Sequence, residues 1–236
     1  NNYKDVFAFM PKIRCLTDFL ADRDYAQAVF SGGKMEFAGA NHFFNTHGVT
    51  DLTGRVEMEA SLPADEVTHA RVDWVLDDKL LLRTAGGKYA VMAQNAAPLA
   101  IFVQTSGPHG RTGYLSHRCS DSGQAEESED IARVLACTIA DVTRFVADIR
   151  AAQAQYRPGR ALHIVLLSDH LNHNTAANPT VAPEFTGANT VIILGPNVTP
   201  GQINAREASM MDLFPTLLQV LGLATEPVAA NLGRSV

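Results

Sequence analysis

Two segments of the sequence place ionisable side chains directly after strongly apolar runs. Asp169 and His170 follow the run at 161–167, and His109 follows the run at 99–104 within a Ser-Gly-Pro-His-Gly turn. A carboxylate beside an imidazole on a rigid strand end supplies the oxygen and nitrogen donors that divalent metals accept. An imidazole held by a stiff Gly-Pro turn can orient a phosphate or protonate a leaving group. We therefore predict a metal site at Asp169 and His170 and a catalytic role for His109.

Both assignments have simpler alternatives. Asp169 could cap a following turn with His170 exposed beside it, and His109 could be a loop residue without a chemical role. The polar segment at 172–175 favours the metal site, because it adds further polar groups next to the pair. His173 lies in this segment and is a candidate substrate-binding residue together with His109.

A third candidate is the glycine-rich segment at 31–48, which contains Lys34, His42 and His47. Backbone N–H groups near glycine can converge on an anion, but the segment lacks the glycine spacing of a dinucleotide site. A structured surface loop is an equally good interpretation. The remaining histidines are interpreted as structural or surface residues, with His163 inside an apolar strand.

The periodicity of the apolar residues predicts the elements that must position these side chains. Helical spacing occurs at 12–22, 66–85, 128–150 and 206–222, and strand-like runs occur at 26–30, 99–104, 161–167 and 191–194. Strands that alternate with helices predict an α/β fold with a mainly parallel sheet flanked by helices. The run at 161–167 is apolar throughout, which is typical of the centre of a parallel sheet. Ligands bind past the carboxyl ends of strands in such sheets, where the candidate residues lie.

Length, composition and charge exclude several classes of protein. The chain has 236 residues, 46% of them hydrophobic, and a formal net charge of −6, which argues against a nucleic-acid partner. It contains neither a membrane-spanning apolar run nor a recognisable signal peptide. The chain begins with Asn1 rather than Met, so we expect it to be part of a longer protein. Its three cysteines leave two possibilities: Cys119 pairs with Cys137 and leaves Cys15 over, or all three are buried thiols.

Seven short motifs lie in a fixed order along nearly the whole chain. They are R-C-L-T-D-F-L at 14–20, F-A-G…T-H-G at 37–48, D-W…D-D at 73–78, G-Y-L-S-H-R-C at 113–119, S-D-H-L…N-T-A at 168–176, S-M-M-D-L-F-P-T-L-L at 209–218 and L-G-R-S at 232–235. Together they resemble the phosphoglycerol transferase I group of the alkaline phosphatase/sulfatase superfamily, whose relatives include lipoteichoic acid synthase. Each motif alone is weak, but their common order is specific.

The resemblance implies an alkaline phosphatase-like fold and a role for each candidate residue. Asp169 and His170 would bind one divalent metal, Mn²⁺, and His109 would contact the phosphate group of the substrate. The group acts in the periplasm, at the outer face of the inner membrane. A disulfide between Cys119 and Cys137 fits that oxidising compartment.

One departure from the family concerns the start of the chain. In the family, a nucleophilic threonine and the first acidic metal ligand precede the helix that is matched here at 12–22. The eleven residues before that helix contain neither Glu nor Thr. We therefore expect 1–236 to be a single catalytic domain that lacks its N-terminal part, including a membrane anchor. A protein that has lost catalysis is the alternative.

The activity that the resemblance implies is transfer of phosphoglycerol from a phosphatidylglycerol-like lipid to periplasmic glucan through a covalent enzyme intermediate. A metal-activated threonine would attack the phosphodiester, and a glucan hydroxyl would then accept the phosphoglycerol. A sulfatase or a phosphoethanolamine transferase of the same superfamily is one alternative. A non-catalytic domain that binds glycan or lipid head groups is another.

Overall fold

A computed structural model of the chain describes residues 6–109, 112–170, 189–199, 201, 208–224, 229–230 and 233–235. The helices in these ranges are α1 (Leu16–Ala21), α2 (Ala40–Thr46), α3 (Arg55–Ser61), α4 (Ala64–Ala70), α5 (Asp78–Met92), α6 (Ile131–Tyr156) and α7 (Met210–Val220). The strands are β1 (Ala26–Ser31), β2 (Asp51–Thr53), β3 (Arg71–Val72), β4 (Val75–Leu76), β5 (Leu99–Gln104), β6 (Gly113–Leu115), β7 (Glu126–Ser128), β8 (Ile164–Leu167), β9 (Val191–Leu194), β10 (Ala229–Ala230) and β11 (Gly233–Arg234). None of these helices combines the length and the apolar character needed to cross a membrane.

The largest sheet among the described residues is parallel and has the strand order β2-β1-β5. In the central strand, Val29 pairs with Leu52 on one side and with Phe102 on the other. Successive side chains of a strand point to opposite faces, so Ala28 and Phe30 enter one core layer and Val29 enters the other. The sheet is therefore buried on both faces.

Helices cover these two faces. Leu81 of α5 packs with Phe30 on one side, and Phe44 of α2 packs against the core around Val29 on the other. The long helix α6 lies against α5, where the Tyr89 hydroxyl donates a hydrogen bond of 2.6 Å to Oε1 of Gln153. This arrangement confirms the predicted α/β fold with a parallel sheet flanked by helices.

The helix predicted at 66–85 is wrong, because the structure divides that range into α4, the β3–β4 hairpin and α5. Asp73 turns the hairpin with a φ of +48°, in the left-handed region that Asp adopts more readily than most residues. The carboxylate of Asp77 then accepts the N–H of Leu80 at 2.9 Å and starts α5 anew. The short hairpin strands send apolar side chains into the core much as a helix would, so the break is hidden in the apolar pattern.

The strand predicted at 161–167 is real over part of its length, but its predicted place in the sheet is wrong. Within the described residues, β8 pairs with β9 alone, and the pairing is antiparallel. Leu167 and Val191 are exposed, unlike residues at the centre of a parallel sheet. His163 lies before the strand rather than inside it, and its Nε2 is 3.0 Å from the carbonyl oxygen of Pro196. Hydrophobicity favours burial, but it does not specify which strand becomes the neighbour.

The other predicted elements keep their type and change their length. The helices predicted at 12–22, 128–150 and 206–222 correspond to α1, α6 and α7. α6 starts only at Ile131, because Glu126–Ser128 forms β7 and Asp130 caps the helix by accepting the N–H of Arg133 at 3.0 Å. The glycine-rich segment, which can be interpreted from the sequence as a structured surface loop, contains a 3₁₀ turn at Phe37–Gly39 and the helix α2.

Candidate active site

Asp169 and His170 lie just past the end of β8. The residue between them and the strand, Ser168, donates its N–H to the carbonyl oxygen of Thr190 at 3.0 Å and accepts the N–H of Thr190 at 2.9 Å, which ties this strand end to β9. Nε2 of His170 lies 3.3 Å from Oδ2 of Asp169, and the two side chains are 51% and 72% exposed. A carboxylate and an imidazole that open together to solvent match the donor set of a divalent cation. The metal site itself stays a prediction.

His109 lies past the end of β5, on the turn that the sequence predicts. Its N–H donates to the carbonyl oxygen of Ser106 at 3.2 Å, which closes the turn. The side chain is exposed, and the imidazole meets the ring of Trp74 edge to face, with the ring centroids 5.3 Å apart. The contact with the Trp74 ring restricts the rotation of the His109 imidazole, while its exposure leaves the imidazole accessible to a ligand.

Trp74 is itself fixed from three sides. Phe37 stacks on it with the ring centroids 5.3 Å apart, and a Cβ added to Gly33 would lie 2.8 Å from the indole ring. The indole N–H donates to the Tyr114 hydroxyl at 3.0 Å, and that hydroxyl donates to Oδ2 of Asp73 at 2.9 Å. The hairpin between α4 and α5 therefore positions an aromatic surface beside His109.

The carboxylate of Asp78 anchors the turn that leads to His109. It accepts the N–H of Ser106 at 2.7 Å and the N–H of Gly107 at 2.9 Å, and it is almost completely buried. Burial raises the pKa of the Asp78 carboxyl to about 6. The two N–H groups lower this pKa, and the nearby charges of Asp77 and Asp141 raise it.

Asp77, the neighbour of Asp78, anchors a second loop. Its Oδ2 accepts the backbone N–H of His117 at 2.7 Å and lies 2.6 Å from Nδ1 of the same residue. The two adjacent carboxylates at the start of α5 thus hold the loop after β5 and the loop after β6. The motif at 73–78 had singled out both aspartates without giving them a chemical role.

A disulfide links the loop after β6 to α6. Cys119 and Cys137 are bonded, with an S–S distance of 2.07 Å, and Cys15 is a free thiol. This is the first of the two possibilities that the cysteine count left open. Beside the disulfide, a guanidinium nitrogen of Arg118 lies 2.8 Å from a carboxylate oxygen of the buried Asp141. The disulfide and the ion pair both tie the loop after β6 to α6.

The glycine-rich segment does not present its histidines as an anion cradle. His47 is buried, with Nδ1 at 2.8 Å from Oδ2 of Asp18. Its imidazole therefore contacts another residue of the protein and does not face a bound anion. The ring of His42 lies against Phe7, with the centroids 5.5 Å apart. The candidate His173 lies outside the described residues.

The structure thus joins Asp169 to His170, and His109 to Trp74, at the ends of strands in two different sheets. Residue-by-residue reasoning missed the supporting carboxylates, above all Asp78. The sequence signal is limited to a pair of acidic residues at a helix start, since such carboxylates accept backbone N–H groups. The turn that Asp78 holds lies 29 residues away in sequence, so the sequence does not indicate this partner.

Comparisons with known proteins agree with this architecture. A family model described as Sulfatase matches residues 2–223. Phosphoglycerol transferase I of Xanthomonas axonopodis pv. citri is 27% identical over 225 residues, which cover 95% of this chain and 31% of that protein. The protein of the same name from Escherichia coli is 26% identical over 227 residues, which cover 94% of this chain and 28% of that protein. The chain therefore spans less than a third of the length of these relatives.

Two solved structures share the fold. A protein of the alkaline phosphatase superfamily from Vibrio parahaemolyticus superposes with a TM-score of 0.60 at 16% identity, covering 91% of this chain and 49% of that one. The lipoteichoic acid synthase LtaP from Listeria monocytogenes superposes with a TM-score of 0.61 at 14% identity, covering 92% of this chain and 53% of that one. The two structures confirm the fold, and the family model and the phosphoglycerol transferase I relatives confirm the resemblance that the seven motifs indicate.

Proposed function

Because the chain belongs to the sulfatase family, we propose that it serves the metal-dependent transfer of phosphoglycerol from a phosphatidylglycerol-like lipid to a glucan. The observation that carries the proposal is the resemblance, over 95% of the chain, to a protein named phosphoglycerol transferase I. The position of His109 past the end of β5 supports it, because ligands bind at such ends in parallel α/β sheets. The exposed carboxylate of Asp169 and imidazole of His170 support it as donors for a divalent cation. The proposal concerns the whole protein, of which these residues supply one part of the site.

In this proposal, Asp169 and His170 hold one divalent cation, and Mn²⁺ suits their carboxylate and imidazole donors. When bound, the cation supplies Lewis-acid stabilisation of negative charge on the phosphoryl oxygens. Both side chains are more than half exposed, so they are accessible to further ligands from water or from other segments.

The proposed transfer takes two displacements at phosphorus. A threonine hydroxyl, which the resemblance places upstream of the helix matched at 12–22 and which residues 1–11 do not supply, loses its proton to solvent and bonds to phosphorus while the bond to the diacylglycerol oxygen breaks. His109 gives that oxygen a proton, so diacylglycerol leaves as an alcohol. In the second displacement His109 takes the proton of a glucan hydroxyl, whose oxygen bonds to phosphorus. The threonine oxygen then leaves and regains a proton from solvent.

We place this reaction in the periplasm, at the outer face of the inner membrane, with an N-terminal membrane anchor outside the given sequence. The disulfide between Cys119 and Cys137 supports an oxidising compartment. The formal net charge of −6 gives no support to a nucleic-acid partner.

The experiment uses the full-length protein, phosphatidylglycerol labelled in its head group, and a glucan acceptor. We expect labelled glucan and free diacylglycerol from the wild type, and a rate lower by about 10²- to 10⁴-fold in His109→Ala, because a general acid contributes roughly that much. Asp169→Ala should lose both bound metal and activity. His69→Ala is the matched control, since that histidine is exposed on α4 and should leave the rate unchanged.

A panel of donors distinguishes the alternatives. Phosphatidylethanolamine and an aryl sulfate, offered to the same protein, test the phosphoethanolamine transferase and sulfatase interpretations. Turnover of either donor in place of phosphatidylglycerol would overturn the proposal. So would binding of glucan or lipid without any turnover, or an Asp169→Ala variant with normal metal content and normal activity.

A further inference from the structure

An exposed aromatic ring lies close to the candidate catalytic histidine, and the proposed reaction does not use it. Phe37 is 53% exposed, and one face of its ring stacks on Trp74 with an angle of 29° between the planes. The imidazole of His109 meets the same indole at 75°. Phe37 and His109 are thus neighbours around one tryptophan, and the outer face of the Phe37 ring borders the place where a substrate meets His109.

The backbone beside both aromatic residues has an uncommon conformation. Ala38, directly after Phe37, has a φ of +53°, and Asp73, directly before Trp74, has a φ of +48°. Residues with a Cβ adopt this left-handed region infrequently, and they do so most often at ligand-binding and catalytic sites. The indole N–H is also held by the Tyr114 hydroxyl at 3.0 Å. The stacked pair therefore presents a fixed outer face.

Two carboxylates accompany the aromatic pair. Glu36 directly precedes Phe37, Asp73 directly precedes Trp74, and both acidic residues are exposed. Oδ2 of Asp73 accepts the Tyr114 hydroxyl at 2.9 Å, and the carboxylate has further lone pairs that can accept hydroxyl groups of a ligand. The surface therefore combines an apolar ring face with hydrogen-bond acceptors at its margin.

This combination fits a sugar ring better than a lipid. The C–H groups on the face of a sugar ring carry a small positive charge and pack on the negative face of an aromatic ring, while the hydroxyls extend sideways to acceptors. An acyl chain requires a continuous apolar surface, which the exposed Glu36 and Asp73 interrupt. Lys34, whose carbonyl oxygen accepts the N–H of Phe37, adds one cation against these two carboxylates, a balance that disfavours an anionic lipid head group.

We propose that Phe37, supported by Trp74, binds a sugar ring of the glucan acceptor, and that Asp73 accepts one of its hydroxyls. The inference rests on the proposed function, in which His109 takes the proton of a glucan hydroxyl. A sugar ring stacked on Phe37 lies near that imidazole, so the stacking brings the acceptor hydroxyl towards the base. Phe37 thus sets the affinity for the acceptor and leaves cleavage of the donor unaffected.

The test is calorimetric titration of the full-length protein with a soluble glucan oligosaccharide, a measurement that does not depend on turnover. We expect Phe37→Leu, which keeps an apolar side chain over Trp74 but removes the ring face, to weaken binding by about 10-fold. Phe37→Tyr retains the ring face and should keep the wild-type affinity. Tyr156→Ala is the matched control, because it removes an exposed aromatic ring from α6 and should leave the affinity unchanged.

Turnover gives a second readout. Phe37→Leu should raise the KM for glucan by about 10-fold, and the diacylglycerol released from phosphatidylglycerol without glucan should stay at the wild-type level. Unchanged glucan affinity in Phe37→Leu would overturn the proposal, and so would binding of phosphatidylglycerol vesicles, in place of glucan, that this substitution weakens. If glucan binds through Phe37 but no phosphoglycerol is transferred, the sugar subsite stands and the proposed function fails.

Discussion

The carboxylate of Asp78, at the start of α5, accepts the N–H of Gly107 at 2.9 Å, and Gly107 lies two residues before His109. The turn that carries the candidate catalytic histidine is thus fastened to a helix that packs against the parallel sheet. The position of His109 therefore depends on a buried ionisable group. The turn can be perturbed by changes of pH and by substitutions that alter the packing around Asp78.

The first prediction concerns the pH dependence of stability. The pKa of Asp78 is raised from 3.8 to about 6 in the folded protein, so between these values the native state holds a proton that the unfolded state has lost. The stability that this proton confers is complete below about pH 4 and is lost as the pH rises through 6, a change of about 3 kcal/mol. Asp78→Asn should lack this component when urea unfolding is followed from pH 4 to 7.

The control for this prediction is Asp148→Asn, at an exposed position of α6, which should keep the wild-type pH profile. An Asp78→Asn profile parallel to that of the wild type would show that Asp78 does not carry the effect.

The second prediction concerns the space around Gly107. A Cβ at this position would overlap Oγ1 of Thr138 and lie 2.6 Å from Oδ2 of the buried Asp78. Gly107→Ala should therefore lower the free energy of unfolding by about 1–3 kcal/mol and reduce turnover by displacing the turn. Gly87→Ala is the opposite case: it has open space in an exposed part of α5 and should raise stability by about 1 kcal/mol. Equal effects of the two substitutions on the urea midpoint would contradict this account.

The third prediction concerns the hydroxyl of Tyr114. It accepts the indole N–H of Trp74 and donates to Asp73, so Tyr114→Phe leaves a half-buried N–H without its acceptor. We expect a loss of about 1–2 kcal/mol in the free energy of unfolding. The chain contains one tryptophan, so its emission spectrum reports on this site alone and should shift in the variant.

Tyr156→Phe, at an exposed position of α6, provides the comparison and should change neither the emission nor the stability. An unchanged spectrum in Tyr114→Phe would mean that the hydroxyl does not hold the indole.

The fourth prediction concerns the disulfide. Cys119 and Cys137 are 18 residues apart. Closing a loop of this length lowers the conformational entropy of the unfolded chain, which stabilises the folded state by about 3 kcal/mol. Reduction should lower the free energy of unfolding by about that amount, measured by urea unfolding with and without a thiol reductant in a Cys15→Ser background. If the reduced and oxidised proteins unfold at the same urea concentration, the bond contributes no net stability.

The sequence by itself determined the elements whose signals are local. β1, β5 and α6 lie close to their predicted positions, because apolar periodicity depends only on residues that are neighbours along the chain. The same local reading placed Asp169, His170 and His109 past strand ends, where the structure has them. The order of short motifs identified the family, since order is also a property of the linear chain.

Only the tertiary structure decided which distant groups meet. Three contacts join segments about twenty to thirty residues apart in sequence: that of Asp78 with Gly107, that of Cys15 with His47, and the pairing of β8 with β9. Hydrophobicity specifies that an element is buried, but a contact of this kind depends on strand register and on helix packing. These emerge only when the whole chain settles into one arrangement that satisfies its buried polar groups.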